Sequence, residues 1–153
     1  MFNIITPTFN RQDLIHRVYE SLKHQTFKGF KWIVVDDAST DSTKELITQW
    51  KNETQEFSIE YYVLTFNQGK PKAVNFGLEK CAYPITIIAD SDDTFVANTF
   101  KDLKKIWDEI NQTENNIASV WTLVVDEDDN IKGDKFPENK WKVSFQTRVL
   151  DIK

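Results

Sequence analysis

Two short apolar runs in this chain each end in a cluster of acids: Ile33-Val34-Val35 leads into Asp36-Asp37, and Ile85-Thr86-Ile87-Ile88-Ala89 leads into Asp90-Ser91-Asp92-Asp93. Short β-branched runs read as buried strands, and in an open α/β sheet ligands bind in the crevice beyond the carboxyl ends of the strands. Carboxylates crowded at such ends repel one another, so they imply a compensating cation or a hydrogen-bonding ligand. The expectation is a site for a divalent metal together with something polar.

The rest of the chain alternates strand and helix patterns. Residues 2–5 read as a first strand, stopped by Pro7, and about 12–25 as a helix with Leu14, Ile15, Val18 and Leu22 at helical spacing. A second strand over 31–36 precedes a helix in which Ser42 and Glu45 form a capping box and Leu46, Ile47 and Trp50 share one face. Ile59 to Thr65 suits a third strand; Asn67-Gln68-Gly69 then turns the chain, and Pro71 sits at the start of a helix running towards Lys80. Residues 84–89 make a fourth strand, and 96 to about 110 a helix with Phe100, Leu103, Ile106, Trp107 and Ile110 on its buried stripe. Such alternation predicts a mostly parallel sheet covered by helices on both faces. After Ile117 the pattern changes. Ala118 to Val125 reads as a fifth strand, reversing through Asp126-Glu127-Asp128-Asp129-Asn130 into Ile131 as an antiparallel hairpin. Residues 133–142 are polar and punctuated by Gly and Pro, and 143–153 read as one more strand or a strand-helix start.

With 153 residues, 40% hydrophobic, the chain has material for one sizeable core, so a single domain over 1–153 is expected. A net charge of -5 carries no basic stripe of the kind that nucleic-acid binding needs. The lone Cys81 excludes an internal disulfide framework and a multi-Cys zinc site. No stretch approaches 18 consecutive apolar residues, and no signal-peptide pattern follows Met1, which gives the expectation of a cytoplasmic protein without a transmembrane segment.

Chemistry concentrates between Asp90 and Asp93. Asp-x-Asp spacing at a strand end, where the chain turns, lets two carboxylates converge on one cation. Hard oxygen ligands with neither histidine nearby favour Mg²⁺ or Mn²⁺ over Zn²⁺. The competing reading is an acidic surface loop that caps a helix. Asp90-Ser91-Asp92-Asp93-Thr94 also matches the Asp-x-Asp-x-Thr nucleophile motif of haloacid-dehalogenase-like phosphatases, in which Asp90 would attack a phosphoryl group. That motif belongs to a first strand, whereas three strands precede it here. Asp36 and Asp37 form the second constellation, able to accept from a base imide N–H or from ribose hydroxyls, or else to organise the turn and cap the next helix.

Four ordered motifs carry a resemblance. Thr6-Pro7-Thr8-Phe9-Asn10-Arg11 follows the first strand, Val34 to Asp41 spans the end of the second, Asn67-Gln68-Gly69-Lys70 with Ala73 and Asn75 comes next, and Asp90 to Asp93 ends the fourth. In content, order and spacing they resemble the family 2 glycosyltransferases of GT-A fold, over about the first 95 residues. The resemblance implies a nucleotide-diphosphate sugar donor, commonly a UDP-sugar, bound across the strand ends by residues 1–95. It places Pro7 and Thr8 in the base pocket, Phe9 where these enzymes usually carry a Tyr beside the base, and Asp37 facing the base with Asp36 in support. Lys70, or Lys72 in its place, would meet the donor phosphates. Asp90, with Ser91 beside it, would meet ribose or sugar, Asp92 would ligate the metal, and Asp93 would neighbour it. Transfer would go to a carbohydrate or lipid-linked acceptor, with inversion, at the inner face of a membrane where the acceptor is lipid-linked.

The chain also departs from the family pattern. After Asp93 no residue matches the carboxylate base that deprotonates the acceptor, so 96–153 read as an incomplete acceptor-side portion, and a donor-binding module that does not transfer sugar is the alternative function. Asp126 to Asp129 read as a solvated turn. His16, His24 and Cys81 read as non-catalytic, Trp50 and Trp107 as core, Trp121 and Trp141 as packed residues or sugar-stacking ones, and Lys101, Lys104 and Lys105 as a solvated helix face.

Overall fold

The computed structural model describes residues 1–113, 124–126 and 130–132. The chain divides into two compact units, Met1–Thr113 and Glu114–Lys153. In the first, strands β1 (Phe2–Thr8), β2 (Phe30–Asp36), β3 (Ser58–Val63) and β4 (Ile85–Ile88) alternate with helices α1 (Ile15–Lys23), α2 (Thr43–Glu53), α3 (Lys70–Leu78) and α4 (Thr99–Thr113). All strand pairings in this sheet are parallel, in the order β3-β2-β1-β4. The chain therefore builds outward from β1 to β3 and then returns to the far side of β1. That reversal opens a crevice between β1 and β4, the position at which doubly wound sheets bind ligands.

Alternation along the strands sends side chains to two faces. On one, Ile4, Trp32, Val34 and Ile59 are buried against Ile15, Val18 and Leu22 of α1 and Ile47 and Trp50 of α2. Tyr19, absent from the expected stripe, stacks on Trp50 with ring centroids 4.3 Å apart. On the other face Ile5, Ile33 and Val35 meet Ala73 of α3. Asn3, buried in β1, accepts from the N–H groups of Ala82 and Tyr83 and donates to the carbonyls of Tyr83 and Ile85, fixing the turn into β4.

Three expectations are corrected. Pro7 does not stop β1, which pairs with β2 through Thr8. The carbonyl of Ile5 accepts from Ala89 on the β4 side, and Pro7, two residues on, faces that same side after β4 pairing has ended. Its missing N–H therefore costs no ladder bond. At α2 the capping box does not form: Ser42 is the N-cap residue without a side-chain cap, and Asp41 caps instead, its Oδ1 accepting from the Thr43 N–H at 3.0 Å and hydroxyl at 2.6 Å. Among the described side chains of α4 only Phe100 is fully buried, against Phe2, Phe30 and Phe95, while Leu103 is partly buried, Trp107 half-buried and Ile106 exposed.

In the second unit, β5 (Val124–Val125) pairs antiparallel with β6 (Ile131–Lys132), and Asp126 accepts the Asn130 N–H at 2.9 Å across the turn. Residues 118–123, 127–129 and 133–153, with Trp121 and Trp141 among them, lie outside the described residues.

Gly77 marks how closely α3 sits on the sheet. A Cβ there would lie 2.7 Å from the Ile5 Cγ2 and 3.3 Å from the Val35 Cγ2. Helix propensity alone favours Ala over Gly by about 1 kcal/mol, but overpacking a core contact costs about 1–3 kcal/mol. Gly77→Ala is expected to lower stability in urea denaturation, and a stabilised variant would show that α3 rides further from β1 than described.

Candidate nucleotide-binding site

A hollow of about 320 Å³ opens at the carboxyl ends of β1 and β4. Pro7 and Thr8 line it from β1, Phe9 and Arg11 from the loop after β1, Asp37 from just beyond β2, Lys70 and Ala73 from α3, and Asp90, Ser91 and Asp92 from the loop after β4. Eight of the eleven residues singled out from sequence thus line one hollow; Asp36, Lys72 and Asp93 do not.

Asp37 is 4% exposed, and its carboxylate accepts from the backbone N–H groups of Gln68 at 2.7 Å and Gly69 at 2.6 Å. Gly69 stands at φ +85, a left-handed conformation that other residues rarely adopt, and it is the N-cap of α3. Lys70 then begins the helix, and its ammonium bridges both carboxylate oxygens of Asp90, at 2.6 and 2.7 Å. Asp37 therefore positions the loop that positions Lys70, which in turn holds Asp90. Lys72 donates its backbone N–H to Gly69 and does not line the hollow.

Asp36 is buried, with Oδ1 accepting from the Ser39 N–H at 2.7 Å and Oδ2 from the Tyr61 hydroxyl. Burial and the adjoining Asp36 push the Tyr61 hydroxyl far above its ordinary pKa, so it stays a donor. Asp93 also turns inward, accepting the Asp90 N–H at 2.7 Å while its own N–H donates to the Asp90 carbonyl. These two acids organise turns. Asp92 differs: it is exposed, lines the hollow and has no protein partner among the described residues.

Among the described residues no three His, Cys, Asp or Glu side chains gather as a closed metal cage. Mg²⁺-type sites need no such cage, because one or two carboxylates commonly share the ion with substrate phosphates. Asp92, with hard oxygen donors and an open position in the hollow, fits that mode.

Arg11 and Ala73 are lining residues to which the sequence motifs gave no role. Ala73 brings the α3 backbone close to the hollow, and only its place one turn into the helix could have signalled that. Arg11 lay in plain view within the first motif, two residues after the aromatic Phe9. Thr8 is 4% exposed, and its hydroxyl has no partner among the described residues, leaving a buried polar atom beside the hollow. His16 and His24 line no part of it, and Cys81 is half-buried, its thiol facing the Gly77 carbonyl at 3.5 Å.

The model of the family described as glycosyl transferase family 2 matches residues 3–150. The chain belongs to this family. It is 32% identical over 111 residues to the poly(ribitol-phosphate) beta-N-acetylglucosaminyltransferase TarS of Staphylococcus aureus, a match covering 71% of this chain and 19% of TarS. It is 30% identical over 102 residues to a GalNAc(5)-diNAcBac-PP-undecaprenol beta-1,3-glucosyltransferase of Campylobacter jejuni, covering 66% of this chain and 32% of that one. The chain thus spans a fifth to a third of these relatives' length. The crystal structure of S. aureus TarS 1-349 in complex with UDP-GlcNAc superposes with a TM-score of 0.67 at 32% identity, covering 72% of this chain and 32% of that one. A mannosyltransferase of Pyrobaculum calidifontis in complex with GDP-Man and Mn²⁺ gives a TM-score of 0.59 at 27% identity, covering 61% of this chain and 28% of that one. The parallel sheet flanked by helices agrees with the GT-A fold expected from the motifs.

The loops at the hollow's rim are laced together. Asn10 donates its N–H to the Ser39 hydroxyl and accepts from the Thr40 N–H, and Gln12 donates its N–H to Asp41 at 3.1 Å. Burial would raise the Asp41 carboxyl, but the hydrogen bonds from Thr43 and Gln12 outweigh it and hold the group below its ordinary value of 3.8. A carboxyl lowered by folding adds stability that is fully present above the unfolded value and is lost as pH falls through the folded one. Asp41→Ala is expected to cost about 1 kcal/mol at pH 7, the usual loss for an N-terminal cap, with the gap to the unaltered protein closing as pH falls well below 3.8. A pH-independent gap would show that the charge contributes nothing.

Proposed function

We propose that this chain is the donor-binding part of a glycosyltransferase that moves a sugar from a nucleotide-diphosphate donor, a UDP-sugar, to an acceptor hydroxyl with inversion and with a divalent metal. The observation that carries this reading is the gathering of Phe9, Asp37, Lys70, Asp90 and Asp92 around one hollow at the topological switch point. Support for uridine comes from a similar structure described as a complex with UDP-GlcNAc, and support for a metal from one described as a complex with Mn²⁺.

The roles follow from chemistry. Phe9, 43% exposed, offers a ring face for stacking the base. Lys70 lies where it can turn from Asp90 to the diphosphate, and Asp90, released, can then accept from ribose or sugar hydroxyls. Asp92 would hold Mg²⁺ or Mn²⁺, which supplies Lewis-acid stabilisation of the charge developing on the departing diphosphate. Pro7, Thr8 and Ser91 shape the walls, and Asp36 and Asp93 act behind them through the turns they hold. Inverting transfer also needs a carboxylate that takes the acceptor proton on the face opposite the leaving group. Among the described residues the hollow's carboxylates are Asp37, Asp90 and Asp92, each committed to another role, so donor binding without transfer is the second reading for this chain alone.

The named relatives act on a poly(ribitol-phosphate) and on an undecaprenol-linked glycan. We extend this to a polymer or lipid-linked acceptor, used at the cytoplasmic face of the membrane. No helix among the described residues is long and apolar enough to cross a membrane.

In a thermal-shift or calorimetric measurement, UDP at one hundred times its dissociation constant in the presence of Mn²⁺ should add about 2.7 kcal/mol of stability. Asp92→Ala should abolish the metal-dependent part of UDP binding while leaving the fold intact. Equal UDP affinity with and without Mn²⁺ would contradict the metal's role, and no binding of UDP at all would contradict the donor site.

A further inference from the structure

Gln25 lies just past His24, the C-cap of α1, and is 3% exposed, with both polar atoms of its side chain bonded to backbone. Its amide nitrogen donates to the carbonyls of Ser21 at 3.1 Å, Phe95 at 3.3 Å and Val96 at 2.9 Å, and its amide oxygen accepts the Phe100 N–H at 3.3 Å. Beside it the Thr26 N–H donates to the Ala97 carbonyl at 2.9 Å, and the Thr26 hydroxyl donates to the Asn98 side-chain oxygen at 2.9 Å. The end of α1 therefore grips the segment that joins β4 to α4.

That segment has little else to hold it. Between 92 and 98 only Phe95 is partly buried against the core; the other six residues are exposed, Val96 to 72%. Burying an amide costs free energy unless it is hydrogen-bonded, and a buried amide with all its bonds made fixes one arrangement of the groups it touches. An apolar side chain at position 25 would fill the same space without fixing anything.

At the other end of the segment stands Asp92. Upstream of it the Ala89 N–H is tied to the Ile5 carbonyl at 2.9 Å, and Asp93 closes a turn on Asp90. Downstream, Asp93 and Thr94 alone separate Asp92 from Phe95. A turn closed on itself keeps its shape, but its tilt over the hollow is set by its two anchors, the end of β4 on one side and Gln25 on the other.

We propose that Gln25 is a positioning residue for the metal: by tying residues 95, 96 and 100 to the end of α1, it sets where the Asp92 carboxylate stands in the hollow. The inference rests on the donor-site reading, in which Asp92 holds the cation, and adds to it a group that lines no part of the hollow yet governs that ligand.

Gln25→Met keeps the length of the side chain and removes its hydrogen bonds. Electron paramagnetic resonance of free Mn²⁺, at saturating UDP, reads the metal directly. Gln25→Met should raise the Mn²⁺ dissociation constant about tenfold, the lower end of the loss when a group that orients a metal ligand is removed. In the Asp92→Ala background the same substitution should change UDP affinity by less than about twofold, because the route through Asp92 is already cut. Unchanged Mn²⁺ affinity in folded Gln25→Met would overturn the inference. So would a loss of UDP affinity that persists in the Asp92→Ala background, since Gln25 would then support the whole site and not this ligand. A further measurement needs no variant. Coupling is reciprocal, so Mn²⁺ added to the UDP complex should slow hydrogen exchange at the Thr26 and Phe100 amides more than at the amides of the β1–β2 ladder. Equal slowing throughout would contradict the inference even where circular dichroism shows Gln25→Met to be unfolded. Failure of the unaltered protein to bind Mn²⁺ with UDP would instead overturn the metal's role in the donor site, and this inference with it.

Discussion

The carboxylate of Asp37, buried at the end of β2, takes the backbone N–H groups of Gln68 and Gly69, and the geometry of the hollow descends from those two bonds. They fix the loop at the start of α3, Gly69 supplies the left-handed turn, and Lys70 is delivered across the crevice to Asp90. Removing the Asp37 carboxylate would take the protein acceptor from two part-buried N–H groups, at a net cost of about 1 kcal/mol for each hydrogen bond lost to water.

The acids at the strand ends invite a single explanation, a bound cation, yet the protein resolves most of their repulsion with its own groups. Asp36 is held by Ser39 and Tyr61, Asp37 by the α3 loop, Asp90 by Lys70, and Asp93 by the turn it closes. Among the described residues that line the hollow, Asp92 and Arg11 are the acid and the cation whose side chains are left without a charged or hydrogen-bonding partner. The proposed metal-bound diphosphate would meet Asp92 through its positive centre. Surface ion pairs such as Lys70–Asp90 contribute little by themselves, which makes Lys70 easy to redirect towards a phosphate.

Strand and helix periods were legible because both sheet faces are covered: Ile33 to Val35 and Ile85 to Ile88 carry no polar interruption but Thr86, and α1 and α2 show clear apolar stripes. The clustering of the motifs was legible too, since strand ends in a parallel sheet share one edge. What could not be read was local competition between equivalent partners. Asp41 rather than Ser42 caps α2, and Pro7 continues β1 because β4 has already parted from it. The division of labour among neighbouring acids was also hidden, since Asp36 and Asp37 are adjacent in sequence but point to opposite sides of a strand end, one into a turn and one to the hollow. Arg11 escaped notice as a lining residue because an arginine after an aromatic in a loop looks like ordinary surface.

The central claim is that Asp37 builds the hollow by holding residues 68 and 69. Amide hydrogen exchange at Gln68 and Gly69 tests it most directly, followed in the unaltered protein and in Asp37→Ala. The account predicts slow exchange at both amides in the unaltered protein and fast exchange in the variant, with UDP affinity falling alongside. Equal exchange in the two proteins would contradict it.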